Sequence, residues 1–279
     1  MKMKYTIALL TLIGVVGSTQ AAWQGRAHWV GGGAAGDYYD AANWIMEAGD
    51  AAGANAVPAN VPGLEYDMFL DNGGSTALSQ DTLVNVASLG GVAWAGKAPT
   101  DVTLTINNAN VETIWWFVMG EQFGASGTIN MNGGSLTVGT DLMLGAHNGG
   151  SGTLNMTAGT VTAGQLFVAF DDGASDVSQQ TGVLNLSGGT VNAGAFFMNA
   201  QGYVDISGNG KLVINGDVTG NINTWIGNGQ IVGDGGAGTA SASYDIGSDT
   251  TTVIPEPGTL GMVALMGGGL LWVRRKFMI

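Results

Sequence analysis

The segments GTINMNGGSLTVG (127–139), GTLNMTAGTVTAG (152–164) and GVLNLSGGTVNAG (182–194) superimpose without a gap. A fourth copy, GYVDISGNGKLVING (202–216), follows with one inserted residue, and VTLTINNANVET (102–113) is a weaker copy upstream. The copies start at 102, 127, 152, 182 and 202; the first two intervals are 25 residues, and the later ones of 30 and 20 average to the same period. The longer interval carries DDGASDVSQQ (171–180), which reads as a loop inserted between strands.

Within each copy the apolar residues alternate: Ile129 and Met131, Leu154 and Met156, Leu184 and Leu186, Val204 and Ile206. Alternation with period two is the signature of a strand whose apolar side chains share one face. A Gly turn and a second alternating pair follow, such as Leu136/Val138 or Val161/Ala163. Then comes a more continuous apolar run, FVMG (117–120), LMLG (142–145), FVAF (167–170) and FFMN (196–199). Three short strands and three turns per period describe one coil of a right-handed parallel β-helix, or solenoid, in an all-β protein. Stacked at roughly 4.8 Å per coil, the visible copies and one or two more from residues 64–101 make a rod on the order of 30 Å long. A β-sandwich is the alternative, since its strands also alternate and turn often, but it does not require a fixed repeat spacing. The third run, apolar at successive positions, places Phe117/Val118, Leu142/Met143, Phe167/Val168 and Phe197/Met198 as two adjacent ladders, one toward the core and one outward. An uncovered outer ladder is an apolar interaction surface; a covering segment is the other reading.

Composition narrows the chemistry. The 279 residues contain no cysteine, so disulfides and thiolate metal sites are excluded, and core burial and backbone pairing must hold the domain. Between Trp23 and Ile254 three strong bases, Arg26, Lys97 and Lys211, face twenty acids, a formal charge near −17. Such a surface repels nucleic acid and anionic lipid, and remains compatible with neutral glycans, divalent cations and basic partners. The 49 glycines punctuate an apolar fraction of 45%, which is the look of turns between strands and not of a disordered chain.

Both termini differ from this middle. Lys2 and Lys4 precede an apolar run from Tyr5 to Val16 and small residues up to Ala21-Ala22, the pattern of a helical secretory signal (1–22) with a mature chain starting near Trp23. The other end reads IPEPGTLGMVALMGGGLLWVRRK (254–276). Thr259 to Val273 is uncharged, about 23 Å as a helix, and Arg274, Arg275 and Lys276 would hold its end on the cytoplasmic side. This predicts a single C-terminal transmembrane helix with the body outside the cytoplasm. Residues 234–253, rich in Gly, Ala, Ser, Thr and Asp, read as a linker to that tail.

The order Pro255-Glu256-Pro257, short apolar helix, basic cluster resembles the PEP-CTERM sorting signal of Gram-negative bacteria that produce extracellular polysaccharide. The resemblance covers about the last 26 residues (254–279) and implies recognition of the triplet by exosortase, an integral-membrane transpeptidase-like enzyme. It also implies removal of the tail and delivery of the body to the surface or matrix, with exopolysaccharide as a further partner. Residues 23–63 hold Trp29, an Asp40-Ala41-Ala42-Asn43-Trp44 element and Val57-Pro58 or Val61-Pro62, followed by Asn72-Gly73-Gly74. That order is similar to the start of exported bacterial β-solenoid proteins with autotransporter-like repeats. From the residues alone, Trp29 and Trp44 read as bulky covers for the first coil of a repeat region spanning 64–233.

Catalytic signatures are weak. A polysaccharide lyase needs a base amid acids, and neither Lys97 nor Lys211 lies in an acid cluster. Hydrolysis needs two facing carboxylates; the densest set, Asp171, Asp172 and Asp176, sits on the inserted loop and suits weak calcium binding or a solvated turn. His28 and His147 lack the spacing of a zinc site. Trp115 and Trp116 in TIWWFVMG read either as a sugar-stacking pair or as one ring in the core and one beneath the N-terminal cover. The sequence therefore points to a non-enzymatic envelope or matrix protein, structural or adhesive, without a required cofactor. A polysaccharide-active enzyme on the same scaffold and a glycan- or calcium-binding module are the alternatives.

Overall fold

The computed structural model describes residues 22–30, 36–46, 64–70, 73–90, 100–121, 124–146, 149–170 and 180–256. Residues 1–21 of the expected secretory signal, Lys97, His147, the Asp171/Asp172/Asp176 set, Pro257, the apolar run 259–273 and the cluster Arg274, Arg275 and Lys276 lie outside the described residues.

The chain is all-β, with 18 strands in one mixed sheet and a single α-helix among the described residues. It opens with β1 (Ala22–Trp29), β2 (Trp44–Met46), β3 (Leu64–Leu70), β4 (Gly74–Leu78), β5 (Thr82–Val84) and β6 (Val86–Leu89). The repeats follow as β7 (Asp101–Ile106), β8 (Asn110–Thr113), β9 (Phe117–Met119), β10 (Ser126–Leu144), β11 (Ser151–Val168), β12 (Thr181–Leu186), β13 (Thr190–Met198), β14 (Gly202–Ile206) and β15 (Lys211–Asn215). Helix α1 (Thr219–Gly227), β16 (Ile231–Gly233), β17 (Ala240–Asp245) and β18 (Thr250–Pro255) end the fold.

Each coil has three legs, and each leg pairs in parallel with the same leg of the next coil. In the first leg Ile129 sits beside Leu154, Leu154 beside Leu184 and Leu184 beside Val204. In the second, Leu136, Val161, Val191 and Leu212 align in the same way. All eight of these side chains are fully buried. The 25-residue spacing therefore fixes register, because a slip by one residue would turn every inward side chain to solvent. Full burial of one such aliphatic side chain contributes about 1.5–3 kcal/mol. Antiparallel pairing, on which a sandwich would depend, is confined among the described residues to β1–β2, β15–β18, β17–β18 and a single bridge between Gly233 and Gly238.

Outside the core, amides form a second ladder. Asn155 Nδ2 donates to Asn130 Oδ1 at 2.9 Å and Asn185 Nδ2 donates to Asn155 Oδ1 at 2.8 Å. The glycine opening each copy has a steric reason. A Cβ on Gly152 would overlap the backbone of Leu144 and Gly145, where Gly145 turns with φ 68°. The equivalent turns at Gly90 and Gly120 have φ 61° and 64°, and Ala169 holds the same left-handed conformation at φ 60°.

The structure corrects two sequence expectations about this framework. The third leg slips by one residue between coils: Met143 pairs with Phe167, and Phe167 with Phe197. The cause is a corner one residue shorter, so that Asp141 pairs with Gln165 at an offset of 24 residues. Phe117, Leu142, Leu166 and Phe196 thus point inward, and Phe167 and Phe197 join Val118 and Met143 outside. The second correction concerns 234–253, expected as a linker. Residues 240–245 and 250–255 form an antiparallel hairpin, β17–β18, whose second strand pairs with β15. Val253, Thr251 and Ala240 are buried there, so the segment covers an open strand edge.

At the other end Trp29 and Trp44 pair across β1 and β2 with ring centroids 5.2 Å apart, edge to face. Trp44 Nε1 donates to the Tyr38 carbonyl at 2.8 Å, and Asp40 Oδ1 accepts from the Ala42 amide at 2.9 Å. The Asp-Ala-Ala-Asn-Trp element is thereby a capped turn that seats its tryptophan in the core.

Candidate functional site

The outer face of the third leg carries the described residues' clearest candidate surface. It runs from His28 and Phe69 through Ser88, Val118, Met143 and Phe167 to Phe197, one residue per coil. Its first members are covered: Phe69 is buried, with the His28 ring stacked 5.2 Å away and the Arg26 guanidinium 5.8 Å from its ring centre. Val118 is still buried at 3% exposure, Met143 and Phe167 are half-buried, and Phe197 reaches 47%. At this open end Phe167 stacks on Phe197 and meets Phe170 edge to face at 4.7 Å. The three rings, with Ala169, Met198 and Asn199, border a groove of about 160 Å³. Such a groove offers dispersion contact to an apolar group, and the described residues that line it carry no charged side chain.

Trp115 and Trp116 do not take the core positions considered for them. The pair lies at the corner between β8 and β9, where strand alternation does not hold; Trp115 is 53% exposed and Trp116 half-buried. Their backbones stay in the stack, with the Trp115 amide donating to the Asn85 carbonyl at 2.9 Å and the Trp115 carbonyl accepting from Thr140 at 2.8 Å. At the equivalent corner of the next coil stands Asp141, whose Oδ1 is buried without a hydrogen-bond partner. Burial pushes its carboxyl above the usual carboxylate range.

A polar groove of about 240 Å³ crosses the second leg near Asp81, Asn110, Glu112 and Ser135. Its acid Asp81 is engaged locally, accepting from the Asn110 amide at 2.9 Å, and Asn110 Oδ1 accepts from the Ser135 hydroxyl at 2.8 Å. Among the described residues no group of three or more His, Asp or Glu side chains could hold a metal ion. The acids of the inserted loop, named for calcium, lie outside them. Likewise, no helix of the described residues is long and apolar enough to cross a membrane.

Of the Pro255-Glu256-Pro257 triplet, Pro255 ends β18, opposite Ala240, and Glu256 follows it. The Glu256 amide donates to the Thr239 carbonyl at 2.8 Å, and the Thr239 hydroxyl donates to Glu256 Oε2. Sequence reasoning missed this placement, and the signal was thin. In the hairpin the inward positions Ala240, Ala242 and Thr251 are small or polar, and Val253 alone among them is a larger apolar side chain. Comparison with protein-family models, with curated proteins and with solved structures gives no match to the chain.

Proposed function

We propose that this is an exported, non-enzymatic structural or adhesive protein of the cell envelope or exopolysaccharide matrix, a right-handed parallel β-helix sorted through its C-terminal PEP-CTERM signal. The observation that carries the reading is the in-register stack of coils that ends in β18, with the Pro-Glu of the triplet at its tip. A stack closed by backbone pairing along its length and covered at its strand edges is a stiff spacer suited to a hydrated, proteolytic exterior. Without cysteine it stays folded whatever the redox state of that exterior.

In this reading the residues divide the work. The signal peptide exports the chain, and Arg274, Arg275 and Lys276 stop the apolar run 259–273 in the membrane with the body outside. Exosortase then acts at Pro255-Glu256-Pro257 and releases the body to the surface. The acidic coat keeps it from anionic lipid and nucleic acid and leaves neutral polysaccharide as the compatible matrix. Fractionation of cells with and without the exosortase tests this. Sorting predicts a shortened protein in the surface or matrix fraction only when the enzyme is present; a full-length protein in the same fraction in both strains overturns the reading.

A further inference from the structure

The β17–β18 hairpin brings the first two residues of the sorting triplet into the fold. β18 lies between β15 and β17 and pairs with both, Leu212 with Val253 on one side and Ala240 with Pro255 on the other. Its middle is firmly anchored: Val253 is buried, and the buried Thr251 hydroxyl donates to the Gly216 carbonyl at 2.7 Å and accepts from the Val218 amide at 3.0 Å. The last rung is held by one residue. Thr239 accepts the Glu256 amide through its carbonyl and donates its hydroxyl to the Glu256 carboxylate.

An enzyme that reads an extended peptide occupies the peptide's own backbone donors and its side-chain groups. Both groups of Glu256 are already engaged by the body. We infer that Thr239 is a latch that withholds Pro255-Glu256 from the processing enzyme, so that the rate of tail removal is set by local opening of the final rung. This rests on the sorting reading above. Opening at an exposed strand end costs far less than global unfolding, and the anchored Thr251 and Val253 confine it to the final residues. A cut beyond Glu256 then leaves β18 in place, and the released body keeps its covered edge.

Pulse-labelling in cells that carry the exosortase measures the half-time of tail removal. Thr239→Val keeps a β-branched strand residue and removes the hydroxyl; loss of one exposed charge-assisted hydrogen bond predicts processing about two- to fivefold faster. A Gly/Ser spacer of six residues inserted after Ile254 carries the triplet off the latch and leaves β18 paired through Ile254, and it predicts processing at least as fast as in Thr239→Val. Pro255→Ala is the control that abolishes processing. Rates unchanged or slowed in both variants, with Pro255→Ala inactive, overturn the latch and leave the sorting reading standing. Absence of any processing in the unaltered protein overturns the sorting reading and the latch with it.

Discussion

Phe167 stacks on Phe197 with ring centroids 4.9 Å apart and planes 15° from parallel, on the outer face of the coils. Such a pair adds about 0.5–1.5 kcal/mol beyond the area it buries. Phe197→Ser removes the exposed half. Its expected cost is about 1 kcal/mol by thermal unfolding, together with a clear drop in binding of an apolar fluorescent dye. Dye binding equal to that of the unaltered protein would show that the open end of the ladder is not the apolar surface.

Ala169 occupies the left-handed turn that glycine fills at positions 90, 120 and 145. A Cβ in that conformation costs roughly 1–2 kcal/mol, partly offset by the extra chain entropy glycine loses on folding. Ala169→Gly is therefore expected to stabilise the fold by about 0.5–1 kcal/mol in denaturant unfolding. A loss of stability would mean that the turn is not strained.

Asp141 supplies a pH test. Its carboxyl is raised by burial and one oxygen is unpartnered. The folded state thus holds the proton more tightly than the unfolded chain, so the associated stability is fully present below the ordinary value of 3.8 and is lost as pH rises through the folded value. Asp141→Asn should match the unaltered protein's melting temperature in acid and exceed it near neutrality. A lower melting temperature for Asp141→Asn at pH 7 contradicts this.

The repeat itself can be shortened. Ser126 stacks on Ser151, so deleting residues 127–151 joins Ser126 to Gly152 in the register Ser151 already has. The shortened chain should unfold cooperatively with a melting temperature a few degrees lower, because one interface between coils is lost. Deleting half as many residues leaves a partial coil that lacks legs for its neighbours to pair with, and should split or abolish the cooperative transition. Similar behaviour from the two deletions would contradict the stacked-coil account.

These tests lean on what the sequence displays openly and on what it hides. Gly127, Gly152, Gly182 and Gly202 align in the structure as they do in the sequence, since alternating apolar residues and a sterically required glycine mark that leg twice over. The third leg lacks such marks: Phe196 and Phe197 are equally apolar, so only the shorter corner decides which faces inward. Helix α1 escaped notice because it spans nine residues and fully buries only Ile222. Ile222, Trp225 and Ile226, spaced for one helical face, were the available signal, and Trp225 meets Phe196 edge to face at 5.4 Å. The hairpin was hidden by its composition, because Ser, Thr and Asp on its exposed side resemble a tether.

The most direct test of the central claim, that the C-terminal triplet sorts the body to the exterior, is the intact mass of the protein recovered from the surface or matrix fraction. The expected chain begins near Trp23, ends near Pro255-Glu256-Pro257, and vanishes from this fraction when the triplet is replaced by alanines. A surface protein that still carries Arg274, Arg275 and Lys276, or one whose location ignores the triplet, would contradict it.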